Sequence, residues 1–138
     1  MTERSDLIEK LAQDAEIARE KLADDAPIRT DENPLPRIDV LCRLNASIHN
    51  PPATVTVYFV PDRRTVQATG LQAYLDTIKA PSRPAVLAAR ILADLSNELV
   101  PRFVQVRVEC GNEGDSVLVE DRRPKWDNPA ILSRLPDF

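Results

Sequence analysis

Cys42 and His49 are the two residues whose types and spacing could support nucleophilic chemistry in this 138-residue chain. A cysteine thiolate is an effective nucleophile, and an imidazole near neutral pH can accept or donate the proton that such a step moves. The alternating pattern around Cys42 also places it among apolar side chains, where a thiol behaves as an inert small hydrophobe. Both interpretations of Cys42 stay open at this point.

The cysteine and histidine counts limit the other sites that the chain can build. Two cysteines and one histidine cannot supply the usual four-ligand zinc site, and a disulfide-stapled secreted fold contains far more cysteines. We therefore expect no structural metal. The first residues lack the basic start and apolar stretch of a secretory signal, which predicts a cytoplasmic location. No apolar run approaches the roughly 20 residues of a membrane-spanning helix, so we expect no membrane contact.

The net charge of -4 is concentrated in one part of the chain. Residues 1–36 hold ten acidic and five basic side chains, whereas the other 102 residues hold twelve acidic and thirteen basic ones. A nearly neutral body lacks the positive surface that binding to a phosphate backbone needs. We therefore do not expect nucleic acid as a partner.

The acidic segment, residues 1–36, has two parts. Apolar side chains recur at three- and four-residue spacing over residues 5–24, which is typical of an amphipathic helix. The prolines of residues 27–36 then predict an extended linker. We expect residues 5–24 either to pack along their own domain or to contact a protein partner.

After the linker, the periodicity predicts the order β-β-α-α-β-β over residues 37–121. Strands are expected over residues 38–48, 54–60, 103–109 and 116–120, and helices are expected to begin near Gly70 and Pro84. Two hairpins that flank a helix pair can join into one antiparallel four-stranded sheet with both helices on one face, an α+β architecture. We expect the tail, residues 122–138, to be irregular and held down by Trp126.

The predicted sheet has a second face and two edges that its own helices do not cover. That face mixes apolar and polar side chains, and exposed strand edges invite pairing with another strand. These features predict edge-to-edge assembly of several copies into a closed barrel whose interior the mixed faces would line. The alternative is a monomer whose second face is covered by the N-terminal helix.

Two stretches of this core resemble a known family. Residues 53–62, ATVTVYFVPD, and residues 66–75, VQATGLQAYL, resemble the core of QueF, the NADPH-dependent 7-cyano-7-deazaguanine reductase family of queuosine biosynthesis. Residues 90–95, RILADL, and 101–108, PRFVQVRV, continue the resemblance, which covers residues 37–121. It implies the T-fold, or tunnelling fold, whose β-β-α-α-β-β units assemble into barrels with ligand sites between subunits.

The resemblance also assigns positions for the cofactor. The family signature after the second strand is Glu, Ser or Leu, Lys, Ser or Ala, Phe or Leu, Lys, and it is associated with NADPH. Gln67 stands at the position of the Glu, and Thr69 and Gln72 stand at the positions of the two Lys. Both cations that would pair with cofactor phosphates are therefore replaced, which argues against canonical NADPH-dependent reduction and leaves the cofactor open.

The family nucleophile is a cysteine followed by proline, with an aspartate proton donor seven residues later. Cys42 is followed by Arg43, and His49 lies seven residues beyond it. An alignment without a gap instead puts Leu44 and Pro51 at the two family positions. The family's His-Glu pair at the start of the long helix, whose Glu grips the base, corresponds to residues 82–86, SRPAV, which contain no acid.

Two functional hypotheses follow. The first is an enzyme of this family, either a cysteine-dependent nitrile reductase or an amidinotransferase-like relative, that acts on a 7-deazapurine through Cys42. The second is a diverged T-fold protein without catalysis, an oligomeric scaffold or binding protein whose N-terminal helix contacts a partner. The replaced signature residues favour the second hypothesis on mechanism.

Overall fold

The computed structural model describes residues 28–79, 83–111 and 114–138. The helix predicted over residues 5–24 lies outside these residues, and the division at residues 36 and 121 stays a prediction. The elements are β1 Asp31–Glu32, β2 Cys42–His49, β3 Pro52–Val60, β4 Arg64–Thr65, α1 Ala68–Thr77, α2 Pro84–Leu99, β5 Phe103–Cys110, β6 Ser116–Arg122, α3 Pro129–Leu132 and a 3-10 helix Leu135–Asp137.

The main sheet has the strand order β2-β3-β5-β6, and every neighbouring pair is antiparallel. This confirms the α+β class and the predicted order of its four strands and two long helices. Val55, Val57 and Val106 are fully buried on one face of the sheet. They pack in one cluster with Leu71 of α1 and Ile91 of α2, so both long helices cover that face.

The long helix α2 follows its predicted pattern closely. Pro84 occupies its first turn, and the residues spaced by four, Leu87, Ile91, Leu95 and Leu99, are all buried. Val100 ends the helix in the left-handed conformation, with φ of 44°, and donates its N–H to the Ser96 carbonyl at 3.0 Å. In the three described ranges, no helix has the length and apolar character needed to cross a bilayer.

A small second sheet includes two residues of the predicted extended linker, residues 27–36. Asp31 pairs with Thr65 and Glu32 with Arg64, which ties β1 to β4. The Arg64 guanidinium reinforces this pairing by donating to the Thr30 carbonyl at 2.7 Å. The described part of the linker, from residue 28 on, is therefore part of the folded domain.

The C-terminal tail covers one end of the second face of the main sheet. It forms α3 and a 3-10 helix, so the prediction of an irregular tail is wrong for these residues; Asn128 caps α3 by accepting the Ile131 N–H at 3.1 Å. The prediction that Trp126 holds the tail is confirmed, because its ring stacks on Phe103 with centroids 5.7 Å apart. Leu135 is buried in the same cluster.

Arg102 joins the segment before β2 to the end of β3. Its guanidinium donates to Asp39 at 3.0 Å and to Asp62 at 2.9 Å, and its side chain is only 15% exposed. It also donates to the carbonyl oxygens of Ile38 and Pro36. A guanidinium is suited to this role because its N–H donors are arranged in a fixed planar fork.

Asp39 completes the network by holding the tail. It accepts hydrogen bonds from Trp126 Nε1 at 3.1 Å and Asn128 Nδ2 at 2.9 Å. Partial burial acts to raise the pKa of Asp39, but the hydrogen bonds from Asn128, Trp126 and Arg102 outweigh it and hold the pKa below its usual value. The ionised form is therefore favoured in the fold.

Replacing Gly70 by alanine is expected to destabilise the protein. An added Cβ would lie 2.9 Å from the Arg29 carbonyl oxygen and 3.2 Å from Val66 Cγ2, so the backbone of residue 29 would have to move. Glycine to alanine inside a helix otherwise stabilises by about 0.5–1 kcal/mol. The free energy of unfolding from urea titration should fall for Gly70→Ala. Gly111→Ala is the matched control, because no atom lies within 4 Å of its Cβ position; equal stability of the two variants would contradict the close approach.

Replacing Asp39 by asparagine is expected to cost about 1.5–3 kcal/mol, the range of a hydrogen bond to a charged group. Because folding lowers the pKa of Asp39, its contribution is present above the ordinary carboxyl value of about 3.9 and is lost as pH falls below it. Urea melts of wild type and Asp39→Asn should therefore differ near neutral pH and converge in acid. Asp127→Asn, at an exposed neighbour, is the control. A constant difference across pH would refute this assignment.

Candidate functional site

Cys42 lies at the first position of β2 and faces the helices. It is half-buried, is paired with Phe59 of β3, and packs against the main hydrophobic core. Burial raises the pKa of the Cys42 thiol. A raised pKa lowers the fraction of thiolate near neutral pH, so this position opposes the activation that a nucleophilic cysteine needs.

His49 lies at the other end of the same strand. It is exposed and pairs with Pro52 at the hairpin turn. Seven residues of extended strand separate it from Cys42, which corresponds to about 23 Å, and the odd separation puts the two side chains on opposite faces. The structure therefore separates Cys42 from His49, and the two cannot exchange a proton within one chain.

Gln72 contacts the backbone of the neighbouring edge strand. Its Oε1 accepts the Ser47 N–H at 2.9 Å, and its Nε2 donates to the Ser47 carbonyl at 2.8 Å. The same Nε2 lies 2.9 Å from Asp76 Oδ1, one turn further along α1. The Gln72 amide thus joins α1 to the outer edge of β2.

Gln67 and Thr69 lie at the start of α1. Gln67 is the N-cap residue, and its side chain donates to Asp31 Oδ2 of β1 at 3.2 Å instead of capping the helix. Thr69 is exposed in the first turn. The structure therefore spreads the three signature positions along α1, where two of them make contacts that hold the fold together.

A cleft of about 320 Å³ lies at the far end of α2. Its lining includes Arg122 and Arg123. Together with the aromatic ring of Trp126, these basic side chains are of the types that bind an anion or a nucleobase. Arg123 is already paired, because it donates to Asp62 at 2.8 Å and to the Val100 carbonyl at 2.8 Å. Trp126 lies against Phe103 and donates to Asp39, so its ring is committed to the fold.

Some polar contacts depend on tertiary structure and leave no signal in the sequence. Tyr74 is 3% exposed and donates its hydroxyl to Asp94, and Asp94 lies 4.0 Å from Arg90 Nε. Burial, together with the hydrogen bond to Asp94, raises the pKa of Tyr74. Neither this pair nor the partners of Gln67 and Gln72 could be found from spacing, because each depends on how α1 lies against its neighbours.

Comparison with known proteins places the chain in a family. No family model matches it. Over 106 residues it is 30% identical to the NADPH-dependent 7-cyano-7-deazaguanine reductases of two strains of Acidithiobacillus ferrooxidans, a match that covers 74% of this chain and 74% of each relative. The chain belongs to this reductase family. The resemblance stated from the residues is thereby confirmed.

A solved structure is also similar to this chain. It is the crystal structure of the archaeosine synthase QueF-Like in the apo form, at 16% identity and a TM-score of 0.43. The match covers 61% of this chain and 89% of that chain.

The residues at the reductase-family signature positions do not fit NADPH. Phosphate groups are held by charge-assisted hydrogen bonds, and Gln67, Thr69 and Gln72 offer only uncharged groups. The two amides are also occupied, by Asp31 and by the Ser47 backbone. No cluster of three potential metal ligands occurs within residues 28–79, 83–111 and 114–138.

The Cys42 thiol is expected to react slowly with iodoacetamide. Its raised pKa and its packing against the core should make alkylation at pH 7 at least about tenfold slower than that of a free cysteine. The rate is measured by mass spectrometry on Cys110→Ser, which leaves Cys42 as the only thiol. The same variant in denaturant should react at the free-cysteine rate. A native rate equal to or above that rate would contradict the burial argument.

Proposed function

We propose that this chain is a T-fold member of the reductase family that assembles with copies of itself into a barrel and binds a ligand or partner without reducing a nitrile. The observation that carries the proposal is the Gln72 amide, which stands at a family Lys position and is bonded to the Ser47 backbone at 2.8 and 2.9 Å. A side chain that holds the fold at this position is not free to hold a cofactor phosphate.

The surroundings of Cys42 support the same proposal. A thioimide mechanism requires a thiolate, and the raised pKa of Cys42 disfavours that form. The residues at the ungapped family positions for the nucleophile and the proton donor are Leu44 and Pro51, neither of which has a titratable group. Leu44 is half-buried against the main core.

Assembly into a barrel is supported by what the sheet leaves uncovered. Among the residues that the structure describes, the outer strands β2 and β6 each have one neighbour in the sheet, and Leu118 on β6 is 54% exposed. Exposed edges of this kind are stabilised by pairing with another strand. The contact of residues 5–24 with a protein partner remains part of the proposal, as does a cytoplasmic location.

The second candidate is a cysteine-dependent nitrile reductase, or an amidinotransferase-like enzyme, acting on a 7-deazapurine through Cys42. It is favoured by the 30% identity to curated reductases and by the half-buried position of Cys42, which leaves part of its side chain accessible. In this case a neighbouring copy would have to supply the proton donor, since His49 lies at the far end of β2.

Thermal unfolding in the presence of 7-cyano-7-deazaguanine, with and without NADPH, distinguishes the two candidates. A ligand that binds only the folded state at 100 times its Kd stabilises by about 2.7 kcal/mol, which shifts the Tm measurably. We expect NADPH to leave the Tm of the wild type unchanged. An NADPH-dependent rise in Tm that Cys42→Ala reduces would favour the enzyme.

The matched variant restores the family charges by the triple substitution Gln67→Glu, Thr69→Lys and Gln72→Lys. If missing charge limits cofactor binding, this variant should gain a Tm response to NADPH that the wild type lacks. It should also unfold at lower urea concentration, because the bonds from Gln72 to Ser47 are removed. An equal NADPH response in both proteins would contradict the role given to these positions.

A further inference from the structure

The second face of the main sheet has a part that lies beyond its contacts with the C-terminal tail. At the end of those contacts the ring centroids of Tyr58 and Phe138 are 6.3 Å apart. The next row of paired residues on the same face consists of Asn45, Thr56, Arg107 and Leu118. The two outer residues of this row are exposed and the two central ones are half-buried. The row is therefore accessible from solvent.

Arg107, in the middle of this row, has N–H donors without an acceptor. Its guanidinium carbon lies 5.1 Å from the centroid of the Tyr58 ring. A cation–π contact of this kind engages the ring face and leaves the N–H groups of the guanidinium free to donate. Among the residues that the structure describes, no carboxylate pairs with Arg107 and no oxygen accepts a hydrogen bond from it. A half-buried guanidinium in this state gains from an anionic acceptor.

Asn45 supplies a second set of donors on the same face. Thr56 Oγ1 donates to Asn45 Oδ1 at 3.2 Å, which uses the amide oxygen and leaves Nδ2 with two N–H groups. None of the described residues accepts a hydrogen bond from Nδ2. Arg107 extends from β5 over Tyr58 of β3, and Tyr58 is the diagonal neighbour of Asn45 on β2. Diagonal neighbours are about 7–8 Å apart, within reach of long side chains.

The charges on this face favour a ligand with one negative charge. The paired strands place three arginines and two glutamates on it, which leaves one positive charge: Arg43, Arg107, Arg122, Glu109 and Glu120. Glu120 is already paired with Arg122 at 2.9 Å. Glu109 is exposed, lies two residues beyond Arg107, and repels a dianion more strongly than a monoanion. A carboxylate therefore suits the face better than a phosphate dianion.

We propose that Arg107 and Asn45 form a binding site for a carboxylate group, with the Arg107 guanidinium and the Asn45 Nδ2 group donating to its two oxygens. Arg43 is not included, because it donates to the Phe138 carbonyl. The site lies on the face opposite to Cys42, and all of its groups come from one chain, so it does not rest on the function or the assembly proposed above. Both a free carboxylic acid and an acidic side chain of a peptide carry the required group.

The test is an NMR titration of the isotope-labelled full chain with sodium acetate, with sodium chloride at equal ionic strength as the reference. We expect the backbone amide signals of Asn45, Thr56 and Arg107 to shift saturably with acetate and not with chloride. Sodium phosphate at equal ionic strength should bind more weakly than acetate. The absence of a saturable shift with acetate would overturn the site, and tighter binding of phosphate would overturn the assignment to a carboxylate.

Matched variants separate the site from general attraction to a positive surface. Arg107→Gln should lower the acetate affinity at least about tenfold, the effect of losing one charge-assisted hydrogen bond. Arg63→Gln makes the same charge change at an exposed residue outside the main sheet, and screening should limit its effect to less than about twofold. An equal loss of affinity in these two variants would overturn the site.

Asn45→Asp tests the second donor with a nearly isosteric change at an exposed position. It keeps an oxygen acceptor for Thr56 and replaces the Nδ2 donors by a negative charge. We expect it to abolish the acetate-dependent shifts while the other amide signals keep their native dispersion. Acetate binding that Asn45→Asp leaves unchanged would overturn the role given to Asn45.

A peptide identifies the source of the carboxylate. Tighter binding of acetyl-Ala-Glu-Ala-amide than of acetate would support the site and assign it to an acidic side chain, whereas equal or weaker binding would support the site and assign it to a free acid. Peptide binding that Arg107→Gln leaves unchanged would overturn the site. Because acetate and the peptide are not ligands of the reductase family, failure of this site and failure of the proposed function are measured separately.

Discussion

A four-stranded antiparallel sheet has two faces and two edges. The way in which each face and each edge is covered determines where the other described elements lie. Burying a valine or leucine side chain is worth about 1.5–3 kcal/mol, so the valine-rich face of β3 and β5 strongly favours the packing of α1 and α2 against it. The C-terminal tail covers one end of the opposite face. The two edges differ. The Gln72 amide bonds the Ser47 backbone at the outer edge of β2, whereas Leu118 of β6 is exposed.

Arg102 fixes how the tail and the linker meet the sheet. One guanidinium bonds Asp39 before β2 and Asp62 after β3, and Asp39 in turn bonds Trp126 and Asn128 of the tail. Segments far apart in sequence are therefore held at one point. Asp62 also bonds Arg123, and Asp39 bonds Trp126. These are the arginine and the tryptophan that could have formed a ligand site, and both are committed to contacts within the chain.

The sequence was sufficient for the order of the main strands and the long helices because each has a clear period, as in the stripe Leu87, Ile91, Leu95 of α2 and the alternation of β5. The predicted start of β2 at residue 38 is wrong, because the strand begins at Cys42. The sequence was insufficient for β1, β4 and α3, which are too short to show a period and depend on tertiary pairing. At the candidate site, the resemblance to the family signature indicated that the family charges were replaced. The partners of Gln67 and Gln72 required the structure, because they follow from the position of α1 beside β2.

The account holds that Gln67, Gln72 and Cys42, which stand at cofactor and catalytic positions of the family, make contacts that stabilise the fold. The most direct test is NADPH oxidation by the purified wild-type protein in the presence of 7-cyano-7-deazaguanine, followed by absorbance and by mass spectrometry of the product. We predict no NADPH consumption above the rate without protein and no aminomethyl product. Consumption that yields this product and is abolished in Cys42→Ala would contradict the account and establish the chain as a reductase.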